Sequence, residues 1–147
     1  MPQALAGDTL HRLLHAYKRA LRRAYDDERL GLGVAQIRTL KAIRNLSPCS
    51  ASAIAPRLRW DKAQLARLLS DLDRRELVCR RPAPDDGRRQ QLTLSDAGRA
   101  MLARVDACEQ RAHTRLAKGL SEAELTAFET LAQRLIDNLE RPIPPSD

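Results

Sequence analysis

The chain has 147 residues and a formal net charge of +7; 31% of its residues are charged and only 3% are aromatic. This length predicts one compact domain, or one module with dimerising arms, whose core consists mainly of Leu, Ile, Val and Ala. Because the sequence has no run of about 18 apolar residues and no basic N-terminal start followed by an apolar block, we expect neither a membrane-spanning helix nor a signal peptide.

The first predicted element is a long helix over residues 8–28, with Asp8 or Thr9 as its cap and Gly31 and Gly33 ending it. Its apolar residues recur with helical spacing and form one stripe, which consists of Leu10, Leu13, Leu14, Tyr17 and Leu21. Since a small domain cannot cover a stripe of this length, we expect part of it to contact another subunit.

Two shorter helices follow. The first covers residues 34–46 and ends at the Ser-Pro-Cys sequence of residues 47–49. The next covers roughly residues 51–58 and contains Pro56, which removes a backbone hydrogen bond at a cost of ~3 kcal/mol in a helix interior. We therefore expect this helix to be short, kinked or late to start. Together with the helix that follows it, it forms a helix-turn-helix.

The fourth helix, over residues 61–75, carries the most informative pattern. Asp61 is a favourable N-cap, with Gln64 three residues later. One face is apolar and consists of Leu65, Leu68, Leu69 and Leu72. The opposite face is short-chained, polar and basic, and consists of Ala63, Ala66, Arg67, Ser70 and Arg74, flanked by Lys62, Gln64 and Asp71. Such a face can approach a phosphate backbone closely and reach base edges.

A short hairpin is predicted directly after this helix. Residues 77–81 and 90–94 are rich in strand-forming side chains, and residues 82–89 between them contain two prolines, Asp-Gly and two arginines. A basic hairpin behind a basic-faced helix is the layout of a winged helix. In that layout the helix lies in the major groove of DNA and the hairpin reaches the neighbouring minor groove.

Two long helices complete the pattern. The fifth starts at residues 95–98 and ends at Gly119, and the sixth starts with a capping box at residues 121–124 and runs to residue 140. Residues 141–147 are Pro-rich and predict a flexible tail. The predicted fold class is mainly α with a small β-hairpin wing, in the order α-α-α-α-β-β-α-α. It is a winged helix-turn-helix whose N- and C-terminal helices form a dimerisation layer.

The positive charge is concentrated in the middle of the chain. Residues 34–94 contain 13 Lys and Arg against 6 Asp and Glu, which gives +7, and the remaining residues contain 13 of each sign, which gives zero. A surface that binds a polyanion requires such a concentration of charge, whereas a surface that only maintains solubility does not. We therefore assign residues 34–94 to a DNA-binding domain, and residues 8–33 and 95–140 to dimerisation helices.

The motifs of residues 61–98 resemble, in their order and spacing, those of the MarR family of bacterial transcription regulators. The sequence DKAQLARLLSDLDRRELVCR resembles the family's recognition helix and the start of its first wing strand, and PDDGRRQQLTLSDAG resembles its wing and next helix start. The similarity extends over about residues 8–140. It implies a dimer that binds pseudopalindromic double-stranded promoter DNA, usually as a repressor. A small, often aromatic effector ligand, or oxidation, often releases the DNA.

By position, the resemblance assigns Arg88 as the wing arginine that enters the minor groove, and Asp86 as the acid that orients it through a salt bridge. Arg67 is a candidate for phosphate contact, and Gln64 is a candidate for pairing with adenine. The complete set of predicted DNA-binding residues is Lys62, Gln64, Arg67, Ser70, Arg74, Arg88 and Arg89.

The same features have a second interpretation, a winged-helix adaptor that docks an acidic protein partner without operator specificity. Separately from that choice, the simplest alternative for Arg67 and Arg74 is that they are solvated helix charges, and for Asp86 and Arg88 that they form a plain surface ion pair. An enzyme is not expected, because the sequence contains no Gly-rich phosphate loop, nucleophile elbow or metal cluster. We predict no cofactor, no bound metal and no membrane partner, and the sequence does not identify ligand-binding residues.

Three cysteines, Cys49, Cys79 and Cys108, lie far apart, which favours neither a disulfide framework nor a zinc site and fits a reducing cytoplasm. We expect Cys79 and Cys108 to be small buried hydrophobic residues, and Cys49, in a loop, to be the most reactive. His11 and His15 have the spacing of a metal pair, but no acid or cysteine near them completes a set. Surface or pocket-lining roles are expected for both.

Overall fold

The structure, a computed structural model, describes residues 2–143, with side chains from residue 6 onward. Within these residues it contains six helices and one antiparallel two-stranded sheet in the predicted order, so the predicted fold class is confirmed. Residues 144–147 of the expected tail lie outside the described residues. The elements are α1 (Pro2–Asp27), α2 (Val34–Leu46), α3 (Ala51–Leu58), α4 (Lys62–Arg74), β1 (Val78–Pro82), β2 (Gln90–Leu94), α5 (Asp96–Leu116) and α6 (Glu122–Glu140).

The chain divides into two compact units. Residues up to Ala112 form the first unit, which contains the hydrophobic core, and residues from His113 onward form the second, in which α6 has no buried residue among those described. None of the described helices combines the length and the apolarity that crossing a membrane requires.

The core of the first unit contains the predicted leucine face of α4. Leu65, Leu69 and Leu72 are each at most 2% exposed, and Leu68 is half-buried. Each fully buried Leu or Ile side chain stabilises a fold by about 1.5–3 kcal/mol, so this packing fixes how α4 is rotated about its axis. The other core residues on α2, α3, β2 and α5 are Ile37, Leu40, Ala42, Ile43, Ile54, Leu92, Leu94, Leu102, Val105 and Cys108.

The start of α1 differs from the expectation. The helix begins at Pro2, so Asp8 and Thr9 lie inside it and neither is its N-cap. Proline is favourable at the first position of a helix, because that position needs no backbone N–H. The Asp8 carboxylate instead lies 3.9 Å from the guanidinium of Arg12 on the exposed surface.

The end of α1 was also predicted wrongly. Arg29 adopts a left-handed conformation (φ 50°), and the N–H of Leu30 donates to the carbonyl of Tyr25 (3.2 Å), which closes the last turn. Gly31 therefore lies beyond the turn that ends the helix. Gly33 begins α2 as its N-cap.

α3 has eight residues, which confirms the expected short helix, but it does not start late. Pro56 lies inside it, and the helix ends at Arg59, a left-handed residue (φ 55°) whose N–H donates to the carbonyl of Pro56 (3.3 Å). Trp60 packs against the core and has the guanidinium of Arg38 5.6 Å from its ring centre. This aromatic side chain anchors the turn between α3 and α4.

β1 and β2 form the wing. β1 begins one residue later than predicted, whereas β2 has the predicted range. Arg80 lies opposite Leu92 in the ladder, and Pro82 ends it opposite Gln90. Cys49 exchanges two backbone hydrogen bonds with Leu92 (3.3 and 2.6 Å), so the connection between α2 and α3 is tied to the base of the wing.

The start of α5 packs closely against the residue before β1. A Cβ atom at Gly98 would lie 2.1 Å from the carbonyl oxygen of Leu77. The hydroxyl of Ser95 accepts the N–H of Gly98 (2.9 Å) and donates to the carbonyl of Glu76 (2.6 Å). Only glycine permits this approach, which ties the wing to α5.

We expect Gly98→Ala to lower the free energy of unfolding by about 1–3 kcal/mol, the usual cost of forcing an extra carbon into a packed site. Gly87→Ala is the matched control, because nothing lies within 4 Å of a Cβ atom built there. Denaturant unfolding measures both changes. Equal stability of the two variants would contradict the close contact.

A buried ionic cluster joins α1, α2 and α5. The side chain of Glu109 accepts hydrogen bonds from the hydroxyl of Tyr25 and the ammonium of Lys41, and the residue is only 9% exposed. Burial, and next the hydrogen bond to Glu109, raise the pKa of the Tyr25 phenol above its ordinary value, so Tyr25 stays protonated as a donor. A buried carboxylate is tolerated only when it is paired in this way.

Lys41→Met removes one partner of this carboxylate, and we expect it to lower the free energy of unfolding by about 2 kcal/mol. Arg44→Met is the matched control on the same helix. Its ion pair with Asp106 (2.8 Å) joins the same two helices, but the side chains are 39% and 50% exposed, so its loss costs under ~1 kcal/mol. Thermal or denaturant unfolding of the two variants tests the difference, and an equal loss would show that burial of Glu109 adds nothing.

Candidate nucleic-acid interface

α4 presents its polar face to solvent because its leucine face is buried. Asp61 caps the helix as predicted, and its carboxylate accepts the N–H of Gln64 (2.7 Å). The face opposite the leucines, which we call the recognition face, consists of the exposed residues Ala63, Arg67, Ser70 and Arg74. Two of its four side chains are small, so the backbone of α4 could lie close to the floor of a DNA groove.

The basic residues of the recognition face differ in electrostatic surroundings. Arg67 is exposed and has no ion-pair partner among the described residues. Arg74 is also exposed, but its guanidinium pairs with the carboxylate of Asp71 on the same helix. Arg67 therefore contributes more positive potential at this face than Arg74.

The remaining two predicted residues of α4 lie at opposite edges of the recognition face. Lys62 is exposed on the edge toward the wing, where it lines a shallow pocket with Ala66 and Arg80. Gln64 is half-buried on the other edge. The structure thus brings Lys62 and the wing together and leaves Gln64 less accessible than the sequence pattern indicates.

The wing loop, residues 83–89, has an ordered turn at its tip. The Asp86 carboxylate accepts the backbone N–H of Arg88 (3.0 Å), and its carbonyl accepts the N–H of Arg89 (3.0 Å). The expected salt bridge from Asp86 to the Arg88 guanidinium is therefore wrong for this structure, since the carboxylate binds backbone. Asp86 fixes the backbone from which Arg88 projects, and both arginines of the tip are exposed.

Within residues 34–94, all of which the structure describes, several exposed basic side chains have no acidic partner. They lie on α3, on α4 and on the wing, and they are Arg57, Lys62, Arg67, Arg81, Arg88 and Arg89. Unpaired exposed cations on neighbouring elements sum to a positive surface potential that attracts polyanions.

Parts of the sequence are similar to known transcription regulators. Residues 30–89 match the model of the MarR family. A 96-residue stretch is 29% identical to a putative transcriptional regulatory protein for the hcr operon of Thauera aromatica, and covers 65% of this chain but only 58% of that relative's length.

Solved structures show the same fold over nearly the whole chain. Wild-type MarR of E. coli in its apo form has a TM-score of 0.75 and 25% identity, over 88% of this chain and 94% of that chain. PcaV of Streptomyces coelicolor, in complex with its natural ligand, has a TM-score of 0.72 and 25% identity, over 91% and 93%. Residues 30–89 are thus similar to the MarR family, and nearly the whole chain has the fold of solved MarR proteins. Members of that family regulate transcription and are not enzymes, in agreement with both expectations from the sequence.

One contact beside the interface was not predicted from the sequence. The guanidinium Nε of Arg80, on β1, lies 2.7 Å from the carboxylate of Asp73, on α4. No local spacing rule predicts this ion pair, because it depends on how the strand crosses the helix. Only the tertiary structure brings the two residues together.

The burial expected for Cys108 is confirmed, whereas the expectations for Cys49 and Cys79 need correction. Cys49 is 7% exposed and Cys108 is 1% exposed, and burial raises the pKa of both thiols. Burial of its thiol therefore disfavours the reactivity expected for Cys49, whose backbone also pairs with β2. Cys79, expected to be buried, is only half-buried beside a shallow groove.

His11 and His15 are both exposed on α1. Among the described residues, no group of three His, Cys, Asp or Glu side chains is arranged to hold a metal ion.

We expect Cys79 to be alkylated at least about tenfold faster than Cys49 or Cys108 in the folded protein at pH 8, because buried thiols with raised pKa values form little thiolate. Mass spectrometry of each cysteine-containing peptide after timed alkylation measures the three rates. In denaturant the three cysteines should react at similar rates. Faster native labelling of Cys49 would show that its pairing with β2 opens readily.

Proposed function

We propose that this chain is a MarR-family regulator that binds pseudopalindromic promoter DNA in the cytoplasm as a homodimer and acts as a repressor. The observation that carries the proposal is the set of unpaired, exposed cations on the recognition face and the wing tip of one compact unit. A protein that touches several phosphates gains affinity from counterion release, whatever the base sequence. Specific recognition then depends on side chains that reach base edges.

The proposed docking places α4 in the major groove and the wing tip in the adjacent minor groove. Arg67 contacts phosphate or a base edge from the centre of the recognition face, Ser70 and Arg74 flank it, and Lys62 lies on the edge nearest the wing. Arg88 enters the minor groove, and Arg89 contacts the backbone beside it. The narrow minor groove has an enhanced negative potential, which favours an arginine whose guanidinium has no acidic partner.

The proposed dimer rests on apolar side chains that the chain leaves exposed. On α1 these are Leu10, Leu13 and Leu14, and on α6 they are Phe128, Leu131, Leu135, Ile136 and Leu139. Exposed apolar patches of this kind are usual at subunit interfaces. A second copy that covers them would set two recognition helices about 34–36 Å apart, the repeat of successive major grooves.

The charges of α1 and α6 also favour a second copy of the chain as the partner that covers these apolar residues. α1 carries five basic and three acidic residues, a net of +2, whereas α6 carries one basic and five acidic residues, a net of −4. Opposite charges on two exposed apolar helices favour pairing between copies of the chain and disfavour pairing of α6 with DNA.

We further propose that a small ligand releases the DNA by changing the distance between the two recognition helices. The proposal is supported by the structure of PcaV, a transcriptional regulator of this fold, in complex with its natural ligand. The cluster of Tyr25, Lys41 and Glu109 joins α1 and α5 to α2, which precedes the helix-turn-helix. A ligand that binds one spacing better than the other shifts the dimer toward that spacing.

Operator binding tests the proposal. We expect wild type to protect a pseudopalindromic footprint in the promoter nearest its own gene, and Arg67→Ala and Arg88→Ala to weaken binding. Each phosphate contact that is lost should reduce the slope of log K against log salt by about 0.9. Fluorescence anisotropy at several salt concentrations, with the footprinted site and a scrambled site, measures both effects.

Arg115→Ala is the control, since Arg115 is exposed on α5 outside residues 34–94 and should leave affinity and slope unchanged. If Arg67→Ala and Arg88→Ala both bind as tightly as wild type with the same salt slope, the site assignment is wrong. If wild type binds both DNAs equally and leaves no footprint, the chain is instead a basic adaptor for an acidic partner.

A further inference from the structure

Arg80 lies at the junction of the recognition helix and the wing. Its Nε is 2.7 Å from a carboxylate oxygen of Asp73, and both side chains are 35% exposed. Another nitrogen of the same guanidinium lies 3.4 Å from the side-chain oxygen of Gln90. One guanidinium therefore contacts α4, through Asp73, and the first residue of β2.

The contact at Asp73 is well placed to hold the helix. Asp73 lies in the last turn of α4, where the exposed carbonyl groups disfavour a nearby carboxylate unless a cation compensates it. Asp73, Lys62 and Ala66 share one flank of α4 by helical spacing, and Lys62, Ala66 and Arg80 line the same pocket. The Arg80 side chain thus lies along the flank of α4 that faces the wing.

The contact at Gln90 is well placed to hold the wing. Gln90 follows directly after Arg88 and Arg89, the two exposed arginines of the wing tip. It pairs with Pro82, which ends β1 and has no backbone N–H to donate. A side-chain contact near this end of the ladder therefore restrains the segment that carries the tip.

We propose that Arg80 is a positioning residue that fixes the wing relative to α4, through Asp73 and Gln90, so that both engage the same DNA duplex. The inference rests on the proposed DNA-binding function, but it assigns Arg80 no contact with DNA. Without this link the wing arginine samples positions outside the minor groove, and the free energy of ordering it reduces affinity.

The test is a double-mutant cycle between Arg80→Met and Arg88→Ala, measured on the footprinted site at several salt concentrations. We expect Arg80→Met to weaken binding about tenfold and to lower the salt slope by no more than Arg88→Ala does, because the contact of the wing arginine is the only one lost. We also expect Arg88→Ala to have little further effect in the Arg80→Met background, because the wing arginine is already misplaced.

Arg81→Met is the matched control on the neighbouring, exposed position of β1, and its effect should add to that of Arg88→Ala. Asp73→Asn removes the same ion pair without changing side-chain volume, so it should reproduce the Arg80→Met result even if that variant folds poorly. Thermal unfolding of each variant identifies a temperature at which all of them are folded, and binding is measured at that temperature. The charge-exchanged double variant Asp73→Arg with Arg80→Asp should recover part of the lost affinity.

Two results would overturn the inference. If Arg80→Met and Asp73→Asn bind like wild type while Arg88→Ala weakens binding, the link does not position the wing, although the proposed function stands. If the double variant loses the full sum of the two single losses in affinity, and its salt slope falls by about 0.9 more than that of Arg88→Ala alone, Arg80 contacts phosphate directly. Absence of operator preference in wild type would instead reject the proposed function itself.

Discussion

Burial of the leucine face of α4 is the interaction on which the rest of the structure depends. Three leucines, Leu65, Leu69 and Leu72, are almost completely buried. A shift of one residue in the helical pattern would rotate α4 by about 100°, exposing part of this face and turning polar residues into the core. Because each buried leucine stabilises the fold by about 1.5–3 kcal/mol, the cost of that rotation excludes it. The outward direction of Arg67 therefore follows from the packing of residues on the other side of the helix.

The wing depends on the same core but needs additional restraints, since a two-stranded hairpin is only marginally stable alone. Its inner face contributes Leu92 to the core, and Cys49 pairs with the backbone of that residue. Gly98 brings α5 against the residue before β1, and Arg80 connects β1 to α4. These restraints lie at or near the base of the wing, whereas the tip is ordered by two local hydrogen bonds that Asp86 accepts from the backbone N–H groups of Arg88 and Arg89. The wing thus combines a fixed base with an exposed basic tip.

Features encoded by local periodicity and capping were predictable from the sequence. The ranges of α2 and β2, the cap at Asp61 and the buried face of α4 all follow from residues close together in the chain. The end of α1 was missed because Arg29, a residue type that rarely adopts a left-handed conformation, closes the helix before the glycines. The burial of Glu109 was missed because its partners come from two other helices. The roles proposed for Arg67 and Arg88 in DNA binding remain predictions.

The distribution of charge constrains how the proposed homodimer would be held together. Each copy carries its net positive charge on residues 34–94, so two of these segments on one side of a dimer repel each other until DNA neutralises them. Residues outside this basic segment must therefore stabilise the dimer. The exposed leucines of α1 and the exposed apolar residues of α6 are suited to do so. The acidic residues of α6 also disfavour contact between this helix and DNA. In the proposed dimer, this repulsion between the two basic segments also lowers the free energy needed to change their spacing. A ligand whose affinities for two spacings differ modestly would then be sufficient to shift the dimer away from the spacing of successive major grooves.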